Sequence, residues 1–125
     1  MQVRAATRED CDDILQILDA AALETDRELT HESIAAGRTV VAVEEGRLLG
    51  TAVCVSTESD VRIEAIAVRK RRKGQGIGTA LVERVLEDHD RVVAEFDERV
   101  RPFYESLGFE IETTENGRFR GVRRR

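Results

Sequence analysis

The sequence predicts a mixed α+β domain whose sheet is mostly antiparallel but contains one parallel pair of strands. Three observations carry this. Thr39–Val43, Leu48–Val55 and Val61–Val68 are apolar, β-branched runs separated by short turns, the pattern of consecutive antiparallel strands. A glycine-rich turn and an amphipathic helix then lead to a further run, Arg91–Phe96, and a right-handed crossover of that kind returns its strand parallel to the one it left. Helical spacing recurs before and after these runs as well as between them. With 125 residues, 1–125 is expected to be a single domain with room for one core.

Taken in order, Gln2–Ala6 reads as a short first strand, and Thr7 followed by Asp10 reads as a capping-box start with Asp in place of Glu. Cys11, Ile14, Leu15, Leu18 and Ala22 recur at helical spacing, which predicts a helix over Arg8–Leu23. Glu24–Arg38 is polar and acidic, with a short helix expected around Glu32–Ala36. It reads either as the wall of a substrate groove or as a solvated connection. Glu44-Glu45-Gly46-Arg47 closes a hairpin, with glycine where a positive φ is useful, and Ser56–Asp60 is the next turn. Ile77, Leu81 and Val85 form one stripe of a helix over Gly76–Glu87. Another helix, Asp97–Leu107, ends at Gly108 with Phe109 packing behind it, and Pro102 must fall in its first turn. Phe109–Thr114 and Arg118–Val122 form a closing pair, and Arg118–Arg125 is expected to be an edge strand with a frayed end.

Composition narrows the function. The net charge of −5 argues against a general nucleic-acid or acidic-membrane binder. No apolar run approaches a membrane span, and the first residues carry no signal-like apolar segment, so a cytoplasmic protein is expected. Cys11 and Cys54 lack metal-ligand spacing, so no metal site is signalled, and Cys54 in its apolar run reads as a buried small hydrophobe. His31 and His89 read as surface or helix-end residues.

One stretch departs from this average. Arg69, Lys70, Arg71, Arg72 and Lys73 are consecutive cations, and Lys70 and Lys73 are the only lysines among 20 basic residues. Gly74, Gly76 and Gly78 follow, between the end of a strand and the start of a helix. Glycines allow the backbone to approach an anion closely, and a helix start offers unpaired N–H groups and a favourable dipole. A diphosphate seat follows. The spacing is not that of a P-loop, and a dinucleotide fingerprint fails because Thr79 stands at its third glycine, upstream strands are antiparallel and only 28 residues remain after Asp97. The second reading of the basic run is a solvated face or a nuclear-import-like patch.

These residues resemble the GCN5-related N-acetyltransferase family. Ile66-Ala67-Val68, a five-residue spacer and Lys73-Gly74-Gln75-Gly76-Ile77-Gly78-Thr79 look like its acyl-CoA signature, R/Q-x-x-G-x-G/A, with Lys73 at the first position. Arg71-x-x-Gly74-x-Gly76 matches the pattern literally two residues earlier. Arg101–Phe109, an aromatic-Tyr pair before Leu-Gly-Phe, resembles a second signature, with Asp97 seven residues before Tyr104 where Asn is common. The resemblance runs nearly from end to end. It implies a three-layer α/β/α fold with a splayed parallel pair, and acetyl-CoA as co-substrate with no metal. Ile66, Ala67, Val68 and Asp97 would meet the pantetheine side, Gly74, Gln75, Gly76, Ile77, Gly78 and Thr79 the diphosphate, and Arg71, Arg72 or Lys73 the 3′-phosphate.

The same resemblance implies chemistry. Tyr104 corresponds to the usual general acid for the leaving thiolate, and Glu64 to a carboxylate that takes the amine's proton. Read from the residues alone, Tyr104 could be core and Glu64 an outward strand residue. The expected activity is N-acetyl transfer from acetyl-CoA to a primary amine of a small molecule or peptide, by direct attack in a ternary complex. The alternative is a non-catalytic acyl-CoA-binding sensor or partner module. Acids in the Glu24–Glu32 stretch suggest a cationic acceptor. The expected partners are acetyl-CoA and an amine, with a homodimer compatible and neither nucleic acid nor membrane involved.

Overall fold

The computed structural model describes residues 1–23 and 25–125. Glu24, the first acid of the stretch suggested to face a cationic acceptor, lies outside the described residues. Strands β1 (Gln2–Ala5), β2 (Val40–Glu44), β3 (Arg47–Thr57), β4 (Asp60–Val68), β5 (Arg91–Phe96), β6 (Glu110–Thr113) and β7 (Phe119–Arg124) form one sheet in the order β1-β2-β3-β4-β5-β7-β6. Every neighbouring pair is antiparallel except β4–β5. Helices α1 (Cys11–Ala20) and α2 (Arg27–Ala35) cover one face over β3 and β4, and α3 (Ile77–Asp88) and α4 (Arg101–Ser106) cover the other. The mixed three-layer fold is as the sequence predicts. Among the described residues no helix is long and apolar enough to cross a membrane.

Two separate cores hold the layers. Ile14, Ile17, Leu18 and Ile34 pack on Val41, Val53 and Ala67, while Ile77, Leu81, Val82 and Val85 pack on Val61, Val92 and Phe96 from behind. Cys54 is fully buried in the second core and its thiol is pushed up to about 12 by that burial, so it is a packing residue as the sequence suggests. Cys11 is also buried, beside His31 on α2 with Sγ 3.5 Å from Nδ1.

The helices differ from their expected limits for local reasons. The first begins as a 3₁₀ turn, Arg8–Asp10, and stops at Ala20 rather than Leu23. Ala22 sits at φ 57 and Leu23 N–H reaches back to Leu18 C=O, a Schellman end formed without the usual glycine. α2 starts well before the expected Glu32 because Asp26 caps it, accepting from the N–H groups of Glu28 and Leu29. The stretch expected to be one helix over Asp97–Leu107 is a 3₁₀ turn, Glu98–Val100, followed by α4, and Gly108 at φ 79 ends it with Phe109 N–H on Tyr104 C=O. The β2–β3 turn has Glu45 at φ 50 and Gly46 at φ 79, both positive as a two-residue type I′ turn requires.

One expectation is corrected outright. Arg118–Arg125 is not an edge with a frayed end, because β7 lies between β5 and β6 and leaves β6 at the edge. Gly121 allows this: a Cβ there would meet Phe96 and Phe109 at 3.1–3.3 Å, so its absence lets β7 close on the aromatic core. Arg123 donates to Leu107 C=O, and Arg125 N–H bonds Asp90 C=O at 2.8 Å.

The start of α1 supports a pH prediction. Asp10 is buried and accepts from Arg4 at 2.7 and 3.1 Å and from Thr7 N–H at 2.8 Å. The Arg4 guanidinium, aided by Thr7, holds its carboxyl below the usual range. A carboxyl depressed on folding stabilises above its unfolded value near ~3.9, and that contribution is lost as pH falls through the folded value. Asp10→Asn should therefore cost about 1–2 kcal/mol at pH 7, and its deficit against wild type should narrow in strong acid. Denaturant melts at pH 7 and in acid test this; a deficit independent of pH would contradict it.

Candidate active site

The site begins where the sheet comes apart. β4 pairs with β5 only from Val61–Ile63 to Val92–Ala94, whereas β4 continues along β3 to Val68 and β5 along β7 to Phe96. From Glu64 onward β4 thus has no strand partner on its β5 side. A cleft of about 480 Å³ opens there, lined by Glu64, Ile66, Glu95, Asp97, Tyr104 and Arg118 among others. A bulge marks its start: Val53 pairs with Ala65 but Cys54 with Ile63, so Glu64 is the extra residue in β4. The insertion resets the alternation, and Val61, Ile63, Ile66 and Val68 all face the α3–α4 core while Ala65 and Ala67 face α1.

Tyr104 is held from three sides. Its ring stacks on Phe96 at 4.5 Å and meets Phe103 and Phe109 edge-on, each at 5.1 Å. Burial, and then the neighbouring Cys54 thiol, pushes its hydroxyl well above the ordinary phenol range, so it keeps its proton at neutral pH. Glu64 is exposed and paired with Arg62 at 2.7 Å. Asp97 accepts from Arg99 N–H at 2.9 Å, capping the following turn, and pairs with the Arg99 guanidinium, which holds its carboxyl below the usual range.

At the far end of β4 lies the glycine turn. Gly74 and Gly76 have φ of 77° and 82°, and a Cβ at either would meet nothing within 4 Å. What demands glycine is the left-handed backbone, and what stands before it is open space. The first helical bond of α3 runs from Ala80 N–H to Gly76 C=O, which leaves the N–H groups of Ile77, Gly78 and Thr79 without helical acceptors. A Cβ at Gly78 would stand 3.5 Å from the Phe103 ring, an ordinary contact, so α3 lies against the helix bearing Tyr104 without requiring glycine there.

The basic run divides its labour. Arg69 donates to Leu48 C=O, and Arg72 pairs with Glu44 at 2.7 Å and bonds Gln75 at 2.8 Å, which ties the run to the β2–β3 turn. Among the described residues Lys70, Arg71 and Lys73 have no ion pair and are exposed. A second cleft of about 780 Å³ lies between this run, the end of α1 and the β2–β3 turn. Of the residues singled out from sequence, Glu64, Ile66, Asp97 and Tyr104 line the first cleft, and Val68, Arg71, Arg72 and Lys73 line the second. Ala67 is buried against α1 between them.

The described acids of that stretch, Asp26, Glu28 and Glu32, do not join them. Asp26 is spent on capping, and Glu28 and Glu32 are exposed on α2 and line neither cleft. Sequence reasoning missed Glu95, Arg99, Val100, Arg118 and Leu23, all of which line the first cleft. Only Glu95 left a trace, as a charge inside the buried run Arg91–Phe96.

A family model for the acetyltransferase (GNAT) domain matches residues 35–111, more than half of the chain. Solved structures share the fold. Rv2747 from Mycobacterium tuberculosis, in complex with CoA, superposes with a TM-score of 0.84 at 21% identity over 100% of this chain and 99% of that one. Ard1 from Thermoplasma volcanium gives 0.82 at 19% identity, covering 98% and 96%. The Salmonella typhimurium protein yncA, with its cofactor acetyl-CoA, gives 0.79 at 19% identity, covering 99% and 93%. No curated protein matches the sequence.

Proposed function

The chain belongs to the GNAT acetyltransferase family, and from that premise we propose that it transfers an acetyl group from acetyl-CoA to a primary amine by direct attack in a ternary complex. The observation that carries this reading is the splay: one cleft holds Tyr104 and Glu64, and β4 runs from it to the glycine turn. The residues fit the donor. Gly74 and Gly76 present backbone to open space, the first-turn amides of α3 are free of helical partners, and Lys70, Arg71 and Lys73 have no ion pair among the described residues.

When bound, acetyl-CoA supplies an activated thioester carbonyl. The chain supplies the rest. Gly74–Thr79 seat the diphosphate, the basic run takes the 3′-phosphate, and the unpaired side of β4 accepts the pantetheine arm as an added strand. A β4 backbone N–H beside the Glu64 bulge steadies the oxyanion as the amine attacks. Glu64 removes the amine's proton, and the Tyr104 hydroxyl donates one to the departing sulfur. Rising pH does not discharge that acid near neutrality, because burial holds the proton on Tyr104. A cytoplasmic location, where acetyl-CoA is used, goes with this reading.

A single-turnover assay with labelled acetyl-CoA and mixed amines tests it. Label should pass to an amine at enzyme-stoichiometric amounts. Binding without transfer to any amine would leave a non-catalytic acyl-CoA module in its place.

A further inference from the structure

We propose that the acceptor is a small zwitterion, an α-amino acid with an apolar side chain; this rests on the acetyl-transfer reading and deepens it. The charges of the first cleft point there. Glu64 and Asp97 already have guanidinium partners, Arg62 at 2.7 Å and Arg99 at 2.9 Å. Two charges lining the cleft do not. Glu95 lies opposite Arg120 in register but among the described residues makes no ion pair, and the Arg118 side chain makes none either.

Arg118 is not carried on a loose loop. Thr114 donates to Arg118 C=O through both its N–H at 2.8 Å and its hydroxyl at 3.0 Å, and Asn116 and Gly117 hold positive φ of 60° and 70° between them. This turn fixes the backbone of Arg118, which lines the cleft, while Phe119, next in the chain, is covered by Arg101 at 4.8 Å. The arrangement offers one anion site and one cation site in a single cleft of about 480 Å³, which must also admit the acyl end of the donor.

The mouth adds a third element. Met1, Leu23 and Val100 are the exposed large hydrophobics among the described residues, and Leu23 (36%) and Val100 (42%) both line this cleft. Exposed apolar side chains gathered at one cleft mark a contact surface. A polyamine or a lysine side chain would satisfy Glu95 and leave Arg118 facing nothing. A simple apolar amine would use Leu23 and Val100 and waste the cation. An amine bearing a carboxylate and an apolar side chain engages all three, with a charge-assisted fork at Arg118.

The test is an acetyl-transfer panel on the full chain: leucine, phenylalanine and methionine, each beside its methyl ester, its amide and its decarboxylated amine, with serine and lysine as polar controls. The expected result is that a free apolar amino acid exceeds its ester, amide and decarboxylated form by 10- to 100-fold in kcat/KM. Arg118→Ala should collapse that ratio through KM, and Arg118→Lys should restore part of it, since the charge returns without the fork. Equal or better rates with esters or decarboxylated amines overturn the zwitterion. A preference for the amide would mean a peptide N-terminus in its place, and would overturn it too. If no amine of any kind is acetylated while acetyl-CoA still raises Tm, the acetyl-transfer reading itself fails and this inference falls with it.

Discussion

Tyr104→Phe is expected to lower kcat by about 10²–10⁴ while leaving CoA affinity and the fold nearly intact, the usual worth of a positioned general acid. The substitution removes one oxygen and keeps the ring, so stacking on Phe96 at 4.5 Å and the edge contacts with Phe103 and Phe109 persist. The loss should shrink with a donor whose thiol is more acidic, because such a leaving group needs less help. Measured with a verified acceptor, a kcat equal to wild type would reduce Tyr104 to a core residue and require water or another donor for the sulfur. Wild type should show no alkaline loss from this residue near neutrality, since burial has raised its pKa.

Gly76→Glu should abolish stabilisation by CoA. For a ligand at 100 times its Kd that stabilisation is about 2.7 kcal/mol in wild type, and a thermal shift would read its disappearance. Two effects combine at this position: a left-handed φ of 82° that a side chain adopts at a cost, and a carboxylate placed in the proposed diphosphate seat. Gly37→Glu separates them. That residue also lies at positive φ, 74°, with nothing within 4 Å of a Cβ, but it follows α2 and lines neither cleft. It should lose intrinsic stability and keep its CoA response. A Gly76 variant still stabilised by CoA would remove the glycine turn from the diphosphate site.

Much of this was legible because it is local. The glycine turn, the hairpin at Glu45-Gly46 and the helix end at Gly108 are each specified by a few adjacent residues whose backbone needs are read directly from sequence. The parallel return of β5 followed from one handedness rule. The end of α1 was hidden because Ala22 performs a task that usually falls to glycine. Pairing across the sheet was less accessible. Nothing within Arg118–Arg125 says that β7 inserts between β5 and β6, since that depends on Gly121 meeting two aromatic rings from other elements.

The cleft divides the same way. Tyr104 lies inside a recognisable signature, whereas Glu95, Arg118, Leu23 and Val100 come from four separate places and acquire meaning only when the fold gathers them. Among the acids of the Glu24–Glu32 segment, Asp26, Glu28 and Glu32 line neither cleft, which composition of the segment could not reveal. A charge matters where it points.

The short β4–β5 contact also bears on how the molecule holds itself together. Within the sheet only three residue pairs join β4 to β5, against eight between β3 and β4, and α3 packs across both sides of that join. The sheet therefore contains a seam, and the two sides of it are the units that local opening would separate first. A ligand lying along that seam spans both units, so its binding free energy doubles as cohesion between the halves of the protein. The empty molecule should then open more readily along that line than the molecule with its ligand in place.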